Sequence, residues 1–283
     1  MISDPPENDL TAYLLEHEEG GDPPRVDEAV LVEAARRFGV PARKVHLACL
    51  AAGLVPARYV RSIPAFGIEG QARLLASSVG IVGAGGLGGF LCEILSRAGV
   101  GRLVVADKDA FEPTNLNRQL LATAQTLGRP KARAAAERVG SINPAVTVEA
   151  VTEPVTAVNA PEIFAGVQVM ADALDNVPDR LMIEAFAKEA GIPFVFGAVA
   201  GFMGQVTTVF PGDPGLERIF GADPDRAGAV RDLGIAPMTP ALVAARQAGE
   251  IIQILLGRTQ GLLRGRLWVM DMSSGRGIEV KLT

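Results

Sequence analysis

Two short apolar runs, at 78–82 and 103–106, flank a segment in which Leu87, Leu91, Ile94, Leu95 and Ala98 recur every three or four residues. Unbroken apolar runs bounded by turn residues fit buried strands, and the three-to-four spacing places one apolar face along a helix. The same beat continues downstream. Strands are expected at 146–151 and 167–171, with a helix near 160–165 between them, then a helix at 177–190 and strands at 194–199 and 205–210. A helix at 241–256 and strands at 266–271 and 277–282 complete the pattern. Strands that alternate with helices imply an α/β fold with a mostly parallel sheet and helices on both faces.

The first 57 residues read differently. Pro5, Pro6, Pro23, Pro24 and an acidic stretch around His17 predict a mobile arm with one short helix at 10–16. Asp27 is a candidate N-cap for a helix ending at Gly39, and Pro41 opens another that reaches Gly53. Two short helices across a glycine turn, with Arg36, Arg37, Arg43 and Lys44, resemble a DNA-reading unit, and a helical arm packing on the body or on a partner is the competing reading. A formal net charge of −5 weighs against DNA and against nucleic acid generally. The expected organisation is an N-terminal helical extension over 1–57, a body over 58–283, and a Pro/Gly-rich crossover loop near 211–240.

Composition narrows the chemistry. With 48% hydrophobic residues the chain can bury a sizeable core. The uncharged stretches 74–92 and 190–212 are long enough for a membrane span, but their glycines, Pro193 and Gln205 make them strands with loops. No membrane association is expected. The only cysteines, Cys49 and Cys92, fit neither a disulfide framework nor a zinc site, which suits a cytoplasmic setting, and Cys92 is expected in the core. Both histidines precede residue 50, so the body has no imidazole for acid–base work.

The body's chemistry gathers at the ends of its strands. Gly83-Ala84-Gly85-Gly86-Leu87-Gly88 joins the first strand to its helix, where missing Cβ atoms and free N–H groups form a phosphate cradle; a plain tight turn is the alternative. Asp107, closing the second strand, stands at about the 20-residue distance at which an acid meets a ribose. Lys131 opens a helix against the dipole, a placement that favours a bound anion nearby. Asp175 and Asn176 emerge after the strand at 167–171, and Asp175 reads equally as a Mg²⁺ carboxylate or as a loop cap. Arg58 and Arg61 share one face of a turn, with solvation as the plain reading.

Taken together, the glycine turn, Asp107, Asn115-Leu116-Asn117-Arg118-Gln119, Gly128-Arg129-Pro130-Lys131 and Ala173-Leu174-Asp175-Asn176 resemble the ThiF/MoeB/HesA family, relatives of ubiquitin-activating enzymes, over 58–283. That resemblance implies a Rossmann-like fold and an adenylyltransferase. The reaction would be ATP-dependent and magnesium-dependent adenylation of the C-terminal glycine carboxylate of a small ubiquitin-like sulfur-carrier protein, with release of pyrophosphate. It implies that Gly83, Gly85, Gly86 and Gly88 cradle phosphate, that Asp107 takes the ribose, and that Arg118 and Lys131 neutralise the triphosphate. Asn115, Gln119 and Asn176 would position the nucleotide, Asp175 would hold Mg²⁺, and Arg61 would reach into the site of the other subunit of a homodimer.

Many members of that family bind zinc through two Cys-x-x-Cys pairs, and this chain has no cysteine after Cys92, so zinc is not expected. Something else must order the crossover loop. Two alternatives to the carrier adenylyltransferase are an NAD-dependent dehydrogenase, which the glycine turn and Asp107 allow, and a non-catalytic nucleotide-binding regulatory member of the same fold. Neither the carrier nor a following sulfur-transfer step is written in the sequence.

Overall fold

A computed structural model describes residues 7–221 and 233–282. The chain begins with α1 (Glu7–Glu16), a tight pair of strands β1 (Glu19–Gly21) and β2 (Pro24–Val26), then α2 (Glu28–Phe38), α3 (Ala42–Ala51) and the short β3 (Val55–Pro56). Asp27 caps α2 by accepting the Ala29 N–H at 2.8 Å, and Gly39, at φ 64°, ends it in the left-handed conformation that a glycine adopts without strain.

From residue 7 onward this region is not the mobile arm expected of its first 25 residues. β1, β2 and β3 make a three-stranded sheet, and Leu10, Leu14, Leu31, Ala34, Val45 and Cys49 close a core of their own. The acidic, proline-rich stretch hid this because its strands are too short to show a period. Three of the four cations behind the DNA-reading alternative have partners within the chain. Arg36 is paired with Glu33, Arg37 lies over the Tyr13 ring, and Arg43 donates to Gly101 O of the body.

The link to the body is polar and specific. Arg58 pairs with Glu28 of α2 at 2.5 Å and donates to Ile142 O at 2.8 Å. After α4 (Ile63–Phe66) and α5 (Ile68–Ala76) come β4 (Ser78–Val82), α6 (Gly86–Ala98), β5 (Arg102–Ala106), α7 (Lys131–Ile142) and β6 (Thr147–Val151). Next are α8 (Ala160–Ile163), β7 (Val169–Asp172), α9 (Val177–Glu189), β8 (Phe194–Ala200) and β9 (Met203–Val209). The chain ends with α10 (Glu217–Phe220), α11 (Met238–Leu255), β10 (Arg266–Asp271) and β11 (Arg276–Lys281).

Among the described residues the body's sheet has eight strands in the order β11-β10-β9-β8-β7-β4-β5-β6. The run from β8 to β6 is parallel, and β9, β10 and β11 add antiparallel neighbours. One face buries Leu87, Leu91 and Leu95 of α6, Val139 of α7 and Ile251 of α11. The other buries Phe164 beside α8 and Ile183 and Ala187 of α9. Helices on both faces of a mostly parallel sheet match the α/β reading. Between β4 and β7 the strand order reverses direction, and such a reversal opens a crevice beyond the carboxyl ends of the strands.

The expected crossover loop at 211–240 is shorter than the sequence suggested, because α10 lies within it and α11 starts at Met238. Its central part, 222–232, lies outside the described residues. The loop's first turn is held by ions. Arg264 grips Asp213 through two bonds of 2.8 and 2.7 Å, and the buried Glu184 of α9 accepts the Leu216 N–H at 3.0 Å while pairing with Lys188.

Candidate functional site

A cavity of about 940 Å³ opens at the β4–β7 reversal. Its floor is the glycine turn. Gly83 has φ +96° and a Cβ there would lie 2.4 Å from Ala173 O, so only glycine fits between β4 and the turn after β7. A Cβ on Gly88 would lie 1.8 Å from Gly83 O, which makes Gly88 a packing glycine that lets the helix start press onto the turn. Gly83, Gly85 and Gly86 line the cavity, and Gly88 is not in its wall.

Asp107 lies at the rim of the same space, where its two carboxylate oxygens accept the Ala84 N–H at 2.7 Å and the Asp109 N–H at 2.8 Å. The acid therefore braces the glycine turn and retains lone pairs for a ligand hydroxyl. Arg118 is half-buried in the wall, steered by bonds to Thr114 O at 3.0 Å and Asn117 Oδ1 at 2.9 Å. Lys131 is buried there too, and Asp109 lies 3.4 Å from its Nζ. A loose ion pair in the wall of an open cavity leaves the ammonium ready for a stronger anion. Gln119 completes this side. Its Oε1 is buried without a hydrogen-bond partner.

Asp175 and Asn176 line the opposite wall. The structure separates their two sequence readings. Asn176 is the cap of α9, its side chain accepting the Asp179 N–H at 2.9 Å, and Asp175 is exposed one residue earlier, outside the cap. Among the described residues no three His, Cys, Asp or Glu side chains gather as a metal cage. Asp107, Asp109, Glu153, Asp175 and Asp179 all line the cavity, and one exposed carboxylate such as Asp175 is nevertheless enough for Mg²⁺, which keeps most of its water and takes further oxygens from a nucleotide.

Besides Gly88, two expected site residues are elsewhere. Asn115 is buried in a one-turn 3₁₀ helix, where its side chain accepts the Glu112 N–H at 3.0 Å and Glu112 caps in return, so it shapes the loop that carries Arg118 and does not line the cavity. Its carboxamide oxygen takes part in that reciprocal cap, which a sequence pattern cannot distinguish from ligand binding. Arg61 is exposed and outside the cavity of its own chain.

Sequence reasoning passed over Lys108, Asp109, Glu153, Arg180 and Gln205, all in the cavity wall. Arg180 carried a signal, since a cation in the first turn of a helix opposes the dipole as Lys131 does. Beneath it, Asp172 is fully buried, and burial pushes its carboxyl up to about 6 against the opposing pull of Arg180 and the Leu174 and Gly197 N–H groups. Neither cysteine serves the site. Burial pushes the Cys49 and Cys92 thiols up to about 12, which keeps both as inert core groups.

The family model described as the ThiF family matches residues 57–283. The SAMP-activating enzyme E1 of Haloferax volcanii is 41% identical over 219 residues, covering 76% of this chain and 80% of that one. The sulfur carrier protein adenylyltransferase of Thermus thermophilus is 40% identical over 210 residues, covering 71% and 78%. Among solved structures, that of PaaA superposes with a TM-score of 0.68 at 23% identity over 80% of this chain and 72% of that one, a likeness of fold. A family match that takes in the whole sheet and its glycine turn, with relatives this similar over most of their length, settles the kinship: the chain belongs to the ThiF family.

Proposed function

We propose that the protein adenylates the C-terminal carboxylate of a small ubiquitin-like sulfur-carrier protein with ATP. One observation carries the reading: cationic Arg118 and Lys131 share a single cavity with the glycine turn, Asp107 and Asp175. A carboxylate approaching a triphosphate is repelled by it and needs no acid or base, so catalysis reduces to alignment and charge cancellation. An oxygen of the carrier's terminal carboxylate attacks the α-phosphorus, the bond to the bridging oxygen of pyrophosphate breaks, and an acyl-adenylate forms.

In this scheme the N–H groups of the glycine turn and the α6 start hold phosphate oxygens, and Asp107 fixes the ribose. Arg118 and Lys131 offset charge on the departing pyrophosphate, and Gln119 presents its carboxamide to the same oxygens. Mg²⁺ bound with the nucleotide would cancel further phosphate charge, and Asp175, with Asn176 beside it, would hold it. Arg61, exposed and away from its own cavity, is assigned to the partner's site in a homodimer. A cytoplasmic setting belongs to the same reading and is supported by two buried, unpaired cysteines. Among the described residues no helix is long and apolar enough to cross a membrane.

The dehydrogenase alternative is not favoured. It leaves Arg118 and Lys131 without work, and neither histidine lines the cavity. The test is direct. Incubation with ATP, Mg²⁺ and candidate carriers ending in Gly-Gly should add one AMP to a carrier, read by mass, and should support ATP–pyrophosphate exchange. Nicotinamide binding without exchange would overturn the assignment.

A further inference from the structure

The buried cation at the start of α9 has no place in the scheme above. Arg180 is 8% exposed, and its guanidinium lies 5.2 Å from the Phe196 ring centre. Its Nη2 donates to Leu174 O, and its Nε lies 3.4 Å from Asp172 Oδ2, an ion contact in which neither of these two buried atoms makes a hydrogen bond. The other oxygen of Asp172 accepts the Leu174 N–H at 2.9 Å. One charge pair therefore takes both backbone polar groups of Leu174, including the carbonyl of the peptide bond that leads into Asp175.

The base of this arrangement is fixed from the other face of the sheet. Gln247 of α11 donates from Nε2 to Asp172 O at 2.8 Å and to Val195 O at 3.2 Å. On the far side of Asp175, the Asn176 cap ties the chain to Asp179 through bonds of 2.9 and 2.8 Å. Asp175 itself is exposed, and its carboxylate accepts from Asn176 Nδ2 at 3.5 Å, its one side-chain hydrogen bond among the described residues. A free carboxylate thus sits on a backbone tied at both ends.

We propose that the Asp172–Arg180 pair is a clamp that aims Asp175 into the cavity toward a divalent cation bound with the nucleotide. The proposal rests on Asp175 being the metal carboxylate. Arginine suits the task because its planar fork reaches a carboxylate and a carbonyl at once, whereas a lysine ammonium is a single point of charge. Arg180 acts through Leu174 and is a positioning residue.

The test measures metal binding apart from turnover. Mn²⁺ would be titrated by electron paramagnetic resonance in the presence of a non-hydrolysable ATP analogue, and a fluorescent ATP analogue would be titrated in EDTA. Arg180→Lys and Asp172→Asn should weaken Mn²⁺ binding about tenfold or more, the range seen when a group that orients a metal ligand is lost. Metal-free nucleotide affinity should stay at the wild-type value. Asp175→Ala serves as the reference and should lose the Mn²⁺ site. Wild-type Mn²⁺ affinity in both clamp variants, with loss in Asp175→Ala, overturns the clamp alone. Intact Mn²⁺ binding in Asp175→Ala overturns the metal assignment and the clamp with it. Equal loss of metal-free nucleotide binding in the clamp variants would make Arg180 a direct nucleotide ligand and end the proposal.

Discussion

The N-terminal unit and the cavity end of the body solve opposite problems. In the first, Leu31, Leu14 and Val45 pack a small core, and charge is matched within the unit, as in Arg25 with Glu19 and Arg36 with Glu33. At the cavity, groups are left unmatched: the Gln119 Oε1 has no partner, Lys131 has a loose one, and Asp175 is exposed. A fold tolerates such exposure only where surrounding structure over-determines the geometry, and here glycine contacts, caps and a buried charge pair supply that rigidity. Stability and chemistry should therefore respond to different substitutions.

The largest effect is expected at the glycine turn, which serves both the packing of the body and the floor of the cavity. In Gly88→Ala a Cβ would meet Gly83 O at 1.8 Å, backbone against backbone, so the turn or the helix must move. A loss of at least about 4 kcal/mol is expected, together with nucleotide binding, measured by urea unfolding and by ATP titration. A wild-type ATP titration in that variant would break the comparison outright.

Next come the unmatched groups. Arg118→Ala and Asp175→Ala should each lower ATP–pyrophosphate exchange about 10²-fold or more while melting within a few degrees of wild type. Large destabilisation in either would mean that these residues build the fold after all. Leu31→Ala should show the reverse, losing about 3 kcal/mol of stability by cavity formation in the N-terminal core with no change in nucleotide affinity.

A smaller difference is expected from pH. Burial holds the His46 imidazole down to about 4, with Glu28 opposing and Arg58 assisting. The folded protein therefore binds fewer protons than the unfolded chain, and the stability tied to neutral His46 is complete above about pH 6.5 and is lost as pH falls toward 4. Asp172 runs the other way, because its raised carboxyl makes the folded state lose stability as pH rises from about 4 to about 6. His46→Gln isolates the contribution of the imidazole. Between pH 7 and pH 4 it should lose about 2 to 3 kcal/mol less than wild type in urea unfolding, and equal losses would refute the assignment. The smallest effect belongs to Arg264→Ala, which removes the two bonds to Asp213; faster proteolysis after Phe210 with little change in melting temperature is expected.

How much of this was legible in the sequence follows the same division. Glycine spacing, Asp107 and the strand–helix rhythm have fixed geometric causes, so 78–172 could be laid out from residues alone. Polar side chains were harder, because an asparagine that caps its own loop and one that touches a ligand look alike; Asn115 and Asn176 both cap. Arg180 went unassigned because its partners, Asp172 and the Leu174 backbone, become neighbours only when α9 folds back over the end of β7. The N-terminal sheet was invisible, since strands of two or three residues leave no period to read. What holds the start of the crossover segment was equally hidden. Asp213 and Arg264 are 51 positions apart, and Glu184 and Leu216 are 32 apart, so only the tertiary structure joins them.

The tight reversal from β8 into β9 turns the sheet antiparallel beside the cavity, placing Ala198, Ala200, Met203 and Gln205 along one flank while the strand tips of β4 and β7 carry the polar floor. Length or side chains added at that hairpin would reshape what docks against the flank and leave the floor's hydrogen bonds untouched. The two parts of the wall thus come from separate stretches of chain, and a change in the shape of one leaves the other in place.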